Sequence, residues 1–388
     1  MTAVLVPDDW DKVAFGALVT NINDYFNPAE DEVSRYLAGE HIDERDLAVR
    51  RWGMTNDDAF PPTFKRIFEA GDVLFHSRNP EKVVQPDFNG VTGEKLFVLR
   101  TKDSSVLLQD LVPYLLLTDR FADYVRRTRS GSVNKFLNWT PLSKYEFALP
   151  PIDEQRRIAT LLRAAEGNCV ALAMARTAGE MSYRAMCKEL FVEGREELAT
   201  NVVGDIADVK NGMTPRRSRD DYWGGVVPWL PTAKVNERRI KAADEFITQK
   251  ALDECSVRVV PAGSTLVAMV GQGATRGKAA LLEIDATINQ NFAAVTPREG
   301  IMPSFLYYQL DALYESLRNW SHGSNQKALN CRLVRDFPIW VPSEARQREV
   351  TERLEQVDKA RKSLADREAA ARALKKRILG NCFGGATS

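Results

Sequence analysis

The chain contains itself twice. An offset of 192 positions, the distance from Gly131 to Gly323, lays Gly131-Ser132-Val133-Asn134-Lys135-Phe136-Leu137-Asn138 on Gly323-Ser324-Asn325-Gln326-Lys327-Ala328-Leu329-Asn330 without a gap. The same offset puts Pro150 on Pro342, Gln155 on Gln347, Arg156 on Arg348, Leu162 on Leu354, Leu172 on Leu364 and Phe191 on Phe383. Upstream it superposes Ala70-Gly71 and Leu74 on Ala262-Gly263 and Leu266. A long-period repeat present twice marks two copies of one globular unit, whereas a solenoid stacks several short repeats. Such a chain has an internal pseudo-two-fold and suits a ligand with two related half-sites, of which duplex DNA is the commonest.

Each repeat divides into a mixed part and a helical part. Residues 1–150 and 196–342 carry strand-length apolar runs such as Val73-Leu74-Phe75, Leu96-Phe97-Val98-Leu99, Thr265-Leu266-Val267-Ala268-Met269-Val270 and Phe292-Ala293-Ala294-Val295, several bounded by Gly or Pro. Short helices are expected over 109–127 and 303–318, so both mixed parts read as α+β. After Pro150-Pro151, residues 153–191 contain no proline, and neither do residues 344–379 after Pro342. A seven-residue spacing runs through Ile158, Ala165, Leu172, Gly179 and Met186, and again through Val350, Val357, Leu364, Ala371 and Ile378. This stripe is a packing seam between two long helices, each roughly 50–55 Å long at 1.5 Å per residue. An internal two-fold requires the pair to run antiparallel. Gly167, Asn168 and Gly179 are the positions where the first helix is expected to bend or fray.

The expected organisation is therefore two similar α+β domains, 1–150 and 196–342, separated by an antiparallel coiled coil of helical segments 151–195 and 343–388. Lys+Arg 53 cancels Asp+Glu 53, which weakens a simple DNA-binding reading. The charge is patchy, however: 23–46 is acid-rich, and 210–241 is basic through Lys210, Arg216, Arg217, Arg219, Lys234, Arg238, Arg239 and Lys241. A local patch can bind phosphates at zero total charge. The five cysteines form no C-x-x-C pair, which supports neither a disulfide framework nor a zinc site. No leader is evident and no stretch reads as long enough to span a bilayer, so a cytoplasmic protein is expected.

The segment Leu149-Pro150-Pro151-Ile152-Asp153-Glu154-Gln155-Arg156-Arg157-Ile158 resembles the opening of the conserved helical region in type I restriction-modification specificity subunits. Gly212-Met213-Thr214-Pro215, followed by Tyr222-Trp223-Gly224-Gly225-Val226-Val227-Pro228-Trp229, is similar to the opening of that family's target recognition domain. Ala286-Thr287-Ile288-Asn289-Gln290-Asn291 and the Gly-Ser run at 323–330 also fit it. The order along the chain is the family's: recognition domain, helix, recognition domain, helix. Two departures stand out. The second helix opens Pro342-Ser343-Glu344-Ala345-Arg346-Gln347, and the first domain lacks the Thr-Pro…Trp-Gly-Gly opening. The two domains are thus expected to read different half-sites.

The resemblance implies a non-catalytic subunit that reads a bipartite double-stranded DNA target, with the helices setting the spacer. It implies two modification (methyltransferase) subunits carrying S-adenosylmethionine, and restriction subunits (ATP-dependent translocase/nuclease) using ATP and Mg. No cofactor or metal is expected in this chain.

Candidate DNA-binding residues in the first domain are Arg78 with Lys82, the patch Arg126, Arg127 and Arg129, and Ser132, Asn134 and Lys135. In the second they are Thr214, Arg216, Arg217, Arg219, Lys234, Gln272, Thr275, Arg276, Lys278, Ser324, Asn325, Gln326 and Lys327. Arginine can read guanine with two hydrogen bonds, and amides suit adenine edges. Trp223 and Trp229, interleaved with these basic residues, read first as core packing. The glycine loop Gly271–Lys278 is one residue short of phosphate-loop spacing, and Ala279 follows its lysine. A stand-alone enzyme binding a nucleotide or methyl donor there is the rival reading, and an inert coiled-coil scaffold is a third.

Overall fold

The structure is a computed structural model and describes residues 10–27, 31–131, 135–191, 201–271, 274–320 and 329–383. It forms two compact units: residues up to 173 together with those from 366 on, and residues 174–365. The division falls inside the long helices, Ile152–Phe191 and Glu344–Phe383, each of 40 residues. Each unit therefore holds one mixed part and a portion of both helices.

In the first unit, β1 (Lys12–Ala14) pairs with β10 (Glu146–Ala148). The main sheet has the order β2-β9-β6-β7, made of Val19–Ile22, Leu96–Thr101, Val73–His76 and Val83–Val84. The second has the order β4-β3-β8-β5, from Gly53–Met54, Arg35–Leu37, Gly90–Thr92 and Arg66–Phe68. The second unit repeats this plan. There β11 (Asn201–Val202) pairs with β20 (Pro338–Ile339). Its main sheet is β12-β19-β16-β17-β14: Ala207–Asn211, Phe292–Pro297, Thr265–Ala268, Ala279–Leu282 and Arg239–Ile240. Its smaller sheet is β15-β13-β18: Glu245–Ile247, Trp223–Leu230 and Thr287–Ile288.

The unbroken apolar runs follow from burial of both faces of the main sheets. Val73, Phe75, Phe97 and Leu99 enter one core with the helices, while Leu74, Leu96 and Val98 face the smaller sheet's core. Val267, Ala293 and Val295 alternate with Leu266, Ala268, Phe292 and Ala294 in the same way. The two expected short helices are each broken. Helix Asp119–Thr128 restarts after Leu117 because Thr118 accepts a hydrogen bond from Phe121 N. In the second unit, Pro303–Ala312 stops at Leu313 and Tyr314–Arg318 follows.

Within each unit the helices run antiparallel. In the first, Ile158, Ala159 and Leu162 share a core with Leu379, Cys382 and Phe383, and Glu166 pairs with Lys375. In the second, Glu180 pairs with Arg361 at 2.9 Å, and a Cβ on Gly179 would lie 3.5 Å from Leu364. The first helix therefore uses Gly179 as a seat, and it runs through Gly167, Asn168 and Gly179 without a break. Of the heptad positions, Ile158, Val350 and Ala371 are buried; Ala165, Leu172, Met186, Val357, Leu364 and Ile378 are half-buried. Leu162, Cys169, Tyr183, Cys187 and Leu190 form a second buried stripe, because the helix packs not only on its twin but also, at its start, on the first unit's core and, at its end, on the second unit's core.

The expectation that no stretch could span a bilayer needs correction. The alanine- and methionine-rich Ile152–Phe191 contains an 18-residue stretch of mean hydropathy 1.3, long and apolar enough by length and composition alone. All five cysteines are free thiols.

Candidate nucleic-acid interface

Antiparallel registers bring a set of loops to one end of each main sheet. In the first unit Ile22 faces Val98, and Leu74 faces both Val84 and Val98. Residues 23–27, 77–82 and 93–95 consequently leave the sheet together. In the second, Asn211 faces Ala293, and Leu266 faces both Ala280 and Ala294. Residues 212–222, 269–271, 274–278 and 289–291 do the same there.

Leu137 and Leu329, equivalent positions late in the repeated motif, dock on this end by one matching hydrogen bond in each unit. Leu137 N donates to Ser77 O at 2.8 Å, and Leu329 N donates to Met269 O at 3.0 Å. A second pair is equally matched: Ser77 N to Lys95 O and Met269 N to Asn291 O, both 2.8 Å. The candidates Ser132, Asn134, Gln272, Ser324, Asn325, Gln326 and Lys327 lie outside the described residues.

The first unit presents a basic cluster at this end. Arg78, Lys95 and Lys135 are exposed. Arg129 reaches across to donate to Arg78 O at 3.2 Å, and its buried Nε has no hydrogen-bond partner. His76 reports the local field: its imidazole is pushed down to about 4, first by burial and then by Lys82, Lys95 and Arg78. Arg126 is tied to Asp123 at 2.8 Å, while Arg127 is exposed beside it.

Several candidates turn out to hold the fold. Lys82 donates to Gly39 O at 2.6 Å and Lys278 to Asn236 Oδ1 at 2.8 Å, so each loop after the third main-sheet strand is tethered by its lysine. Lys234 is buried between Glu237 (2.6 Å) and Asp244 (2.9 Å), which raise its pKa and occupy its ammonium. Arg276 is half-buried, its carbonyl accepting from Arg318 at 3.1 Å, and Thr275 O accepts from Lys278 N at 3.1 Å. Lys82, Lys234 and Lys278 are withdrawn from the interface for this reason. The rival nucleotide loop also loses its footing. Strand β17, with no helix between, follows Lys278, whose ammonium is already committed.

Around 212–222 the second unit is more elaborate. Thr214 Oγ1 donates to Gln290 Oε1 at 2.6 Å, joining two of the loops. Arg217 lies 3.7 Å over the Trp223 ring and 4.7 Å over Trp229, and it pairs with Glu245 at 2.5 Å. Arg219 makes two bonds to Asp221, at 2.8 and 2.7 Å. Arg216 is exposed, and its guanidinium has no hydrogen-bond or ion-pair partner among the described residues. Trp229 is buried, whereas Trp223 is half-buried.

Lys95 and the pairing of Thr214 with Gln290 escaped the sequence. The offset between repeats changes from 192 at Leu74 and Leu266 to 196 at Val84 and Ala280, so a fixed shift cannot align the loop between them.

Residues 196–370 match the family described as the type I restriction modification DNA specificity domain. That stretch of the chain is similar to this specificity family. It is similar to the type I restriction enzyme MjaIX specificity subunit of Methanocaldococcus jannaschii, 31% identical over 153 residues, 38% of this chain and 35% of that protein. It is also similar to the EcoR124I/EcoR124II specificity subunit of Escherichia coli, 25% identical over 182 residues, 45% of this chain and 44% of that one. The matched segments thus span less than half the length of either relative. The fold extends further: the crystal structure of the type I restriction-modification S subunit from M. genitalium superposes with a TM-score of 0.64, covering 100% of both chains at 15% identity. Among the described residues no group of three His, Cys, Asp or Glu side chains is placed to hold a metal ion.

Proposed function

We propose that this chain is the DNA-sequence-specificity subunit of a type I restriction-modification complex, each recognition domain reading one half of a bipartite duplex target. One observation carries the reading. The same loop end is built twice with matched backbone hydrogen bonds but different side chains: Arg78 and Lys95 in one unit correspond to Val270 and Asn291 in the other. One scaffold with two chemistries suits an asymmetric target, since base contacts specify and phosphate contacts position.

On this reading the helices set the unread spacer and dock the partners. Those are two modification subunits, which bring S-adenosylmethionine, and restriction subunits, which use ATP and Mg. The chain itself contributes recognition without catalysis, in the cytoplasm where the DNA is. The near-zero net charge fits a subunit whose affinity is completed by its partners.

Methylome sequencing of cells carrying the chain with and without four residues removed from each long helix, about one turn, tests the proposal. The expected result is two unchanged half-sites with an altered spacer. An unchanged spacer with a stable protein would remove the helices from the reading, and no methylated bipartite motif at all would remove the reading itself.

A further inference from the structure

We infer that Arg216 is the base-reading arginine of the second recognition domain and that it takes a guanine; this rests on the function proposed above. Three arginines crowd the loop between β12 and β13, and the structure gives them unequal freedom. Arg217 lies over both the Trp223 and the Trp229 ring and is tied to Glu245. Arg219 is held by both oxygens of Asp221, which also takes Lys250 at 2.8 Å. Neither can reach a ligand without leaving these partners.

Arg216 is the reverse case. Its carbonyl accepts from Trp223 Nε1 at 3.3 Å and from Arg219 N at 3.1 Å, so its backbone is pinned while its guanidinium stays free. The loop is fastened at its base as well. Met213 N donates to Ile288 O at 2.9 Å, and a Cβ on Gly212 would lie 1.9 Å from that same oxygen. A fixed backbone presenting one free guanidinium is pre-organised for a directional, two-point contact.

Charge decides between a base and a phosphate. Carboxylates at Asp221 and Glu245 already answer Arg219 and Arg217. The loop therefore offers one unanswered cation rather than the row that a phosphate track uses. A lone fork-shaped donor set matches guanine O6 and N7.

The test uses the full chain with its modification subunits and a randomised duplex library, comparing wild type, Arg216→Ala and Arg216→Lys. Arg216 is exposed, and equal melting temperatures confirm that the variants fold. The expected outcome is a roughly ten- to hundredfold loss of preference for guanine at one position of one half-site. The other half should be untouched, and lysine should fail to restore the preference. Uniform weakening with a shallower salt dependence, rescued by lysine, would make Arg216 a phosphate contact and overturn the inference while sparing the proposed function. Unchanged selection in Arg216→Ala would also overturn it. A wild-type complex that selects no motif would instead bring down the reading on which it rests.

Discussion

Arg45 and Arg238 stand at the same place in the two units, eight residues beyond the paired residues Leu37 and Leu230. They are the two non-glycine residues with positive φ among those described, at 55° and 61°. Each donates to an aspartate, and those aspartates are also 192 apart: Asp119 at 2.9 Å and Asp311 at 2.7 Å. Each aspartate then meets the long helix arriving from the other repeat, through Lys376 at 3.3 Å and through Tyr183 at 3.1 Å. An uncommon backbone conformation retained twice, around the same ion pair, makes this a latch between recognition domain and helix.

The latch gives a prediction that separates side chain from backbone. Arg238→Ala removes the ion pair but keeps a strained φ, whereas Arg238→Gly removes both. Holding an L-residue in such a sparsely populated positive-φ region costs about 1–3 kcal/mol, so the glycine variant should be the more stable of the two by about that amount. Urea denaturation of both variants, with the matching pair at Arg45, measures the difference. Equal stabilities would mean that the backbone there is unstrained.

Gln155 and Gln347 are buried at the start of the two long helices and make the same three backbone bonds. Gln155 accepts from Leu108 N and donates to Val106 O and Pro150 O; Gln347 accepts from Met302 N and donates to Gly300 O and Pro342 O. Leucine at either site fills the space but strands buried backbone groups, at about 1–3 kcal/mol each. Both variants should lose several kcal/mol, by similar amounts, in chemical denaturation. A loss below about 1 kcal/mol would show that water replaces the amide.

His76 couples the first recognition domain to pH. Its folded pKa of about 4 lies below the ordinary 6.5 because burial and three cations disfavour the imidazolium. As pH falls from 6.5 towards 4 the unfolded chain takes up a proton that the folded one refuses, so stability is complete above 6.5 and falls through that window. His41, also lowered mainly by burial, adds in the same direction. His76→Asn should flatten the dependence of the urea midpoint on pH between 6.5 and 4.5, and replacing both histidines should flatten it further. An unaltered slope would place the effect elsewhere.

The helix seam is not uniform. Val350 is fully buried, whereas Leu364 is half-buried against Gly179. Val350→Asp, which leaves a charge inside the core without a partner, should unfold the second unit. Leu364→Asp should lower its melting temperature only modestly. Calorimetry of the two single variants distinguishes them, and equal effects would mean that the helices are held together mainly at their centres.

The parts legible in the sequence are those where one offset holds. The long helices, their Pro-Gln openings and the equivalent residues Leu137 and Leu329 keep the 192-residue register because their backbone contacts leave little room for change. The two-sheet layering was hidden, because a strand buried on both faces reads as an unbroken apolar run with no sign of what covers each side. At the interface, residue type showed charge but not commitment. Lys82 and Lys278 read like Arg78, yet both are tethers, and Arg217 and Arg219 read like Arg216, yet both are tied back. The partners that decide this lie from two to some forty residues away in sequence and meet only through the fold.

The division of the long helices also bears on the order in which the protein is made. The second unit is one continuous stretch, but the core of the first joins Ile158, Ala159 and Leu162 to Leu379, Cys382 and Phe383. At about 5–20 residues per second, synthesis leaves the early half of that core waiting on the order of tens of seconds for its last side chains. The recognition domain translated first is therefore the last to close. A released chain that ends beyond residue 365 but short of 379 would hold every residue of the second unit, while the apolar helix face of the first stays open.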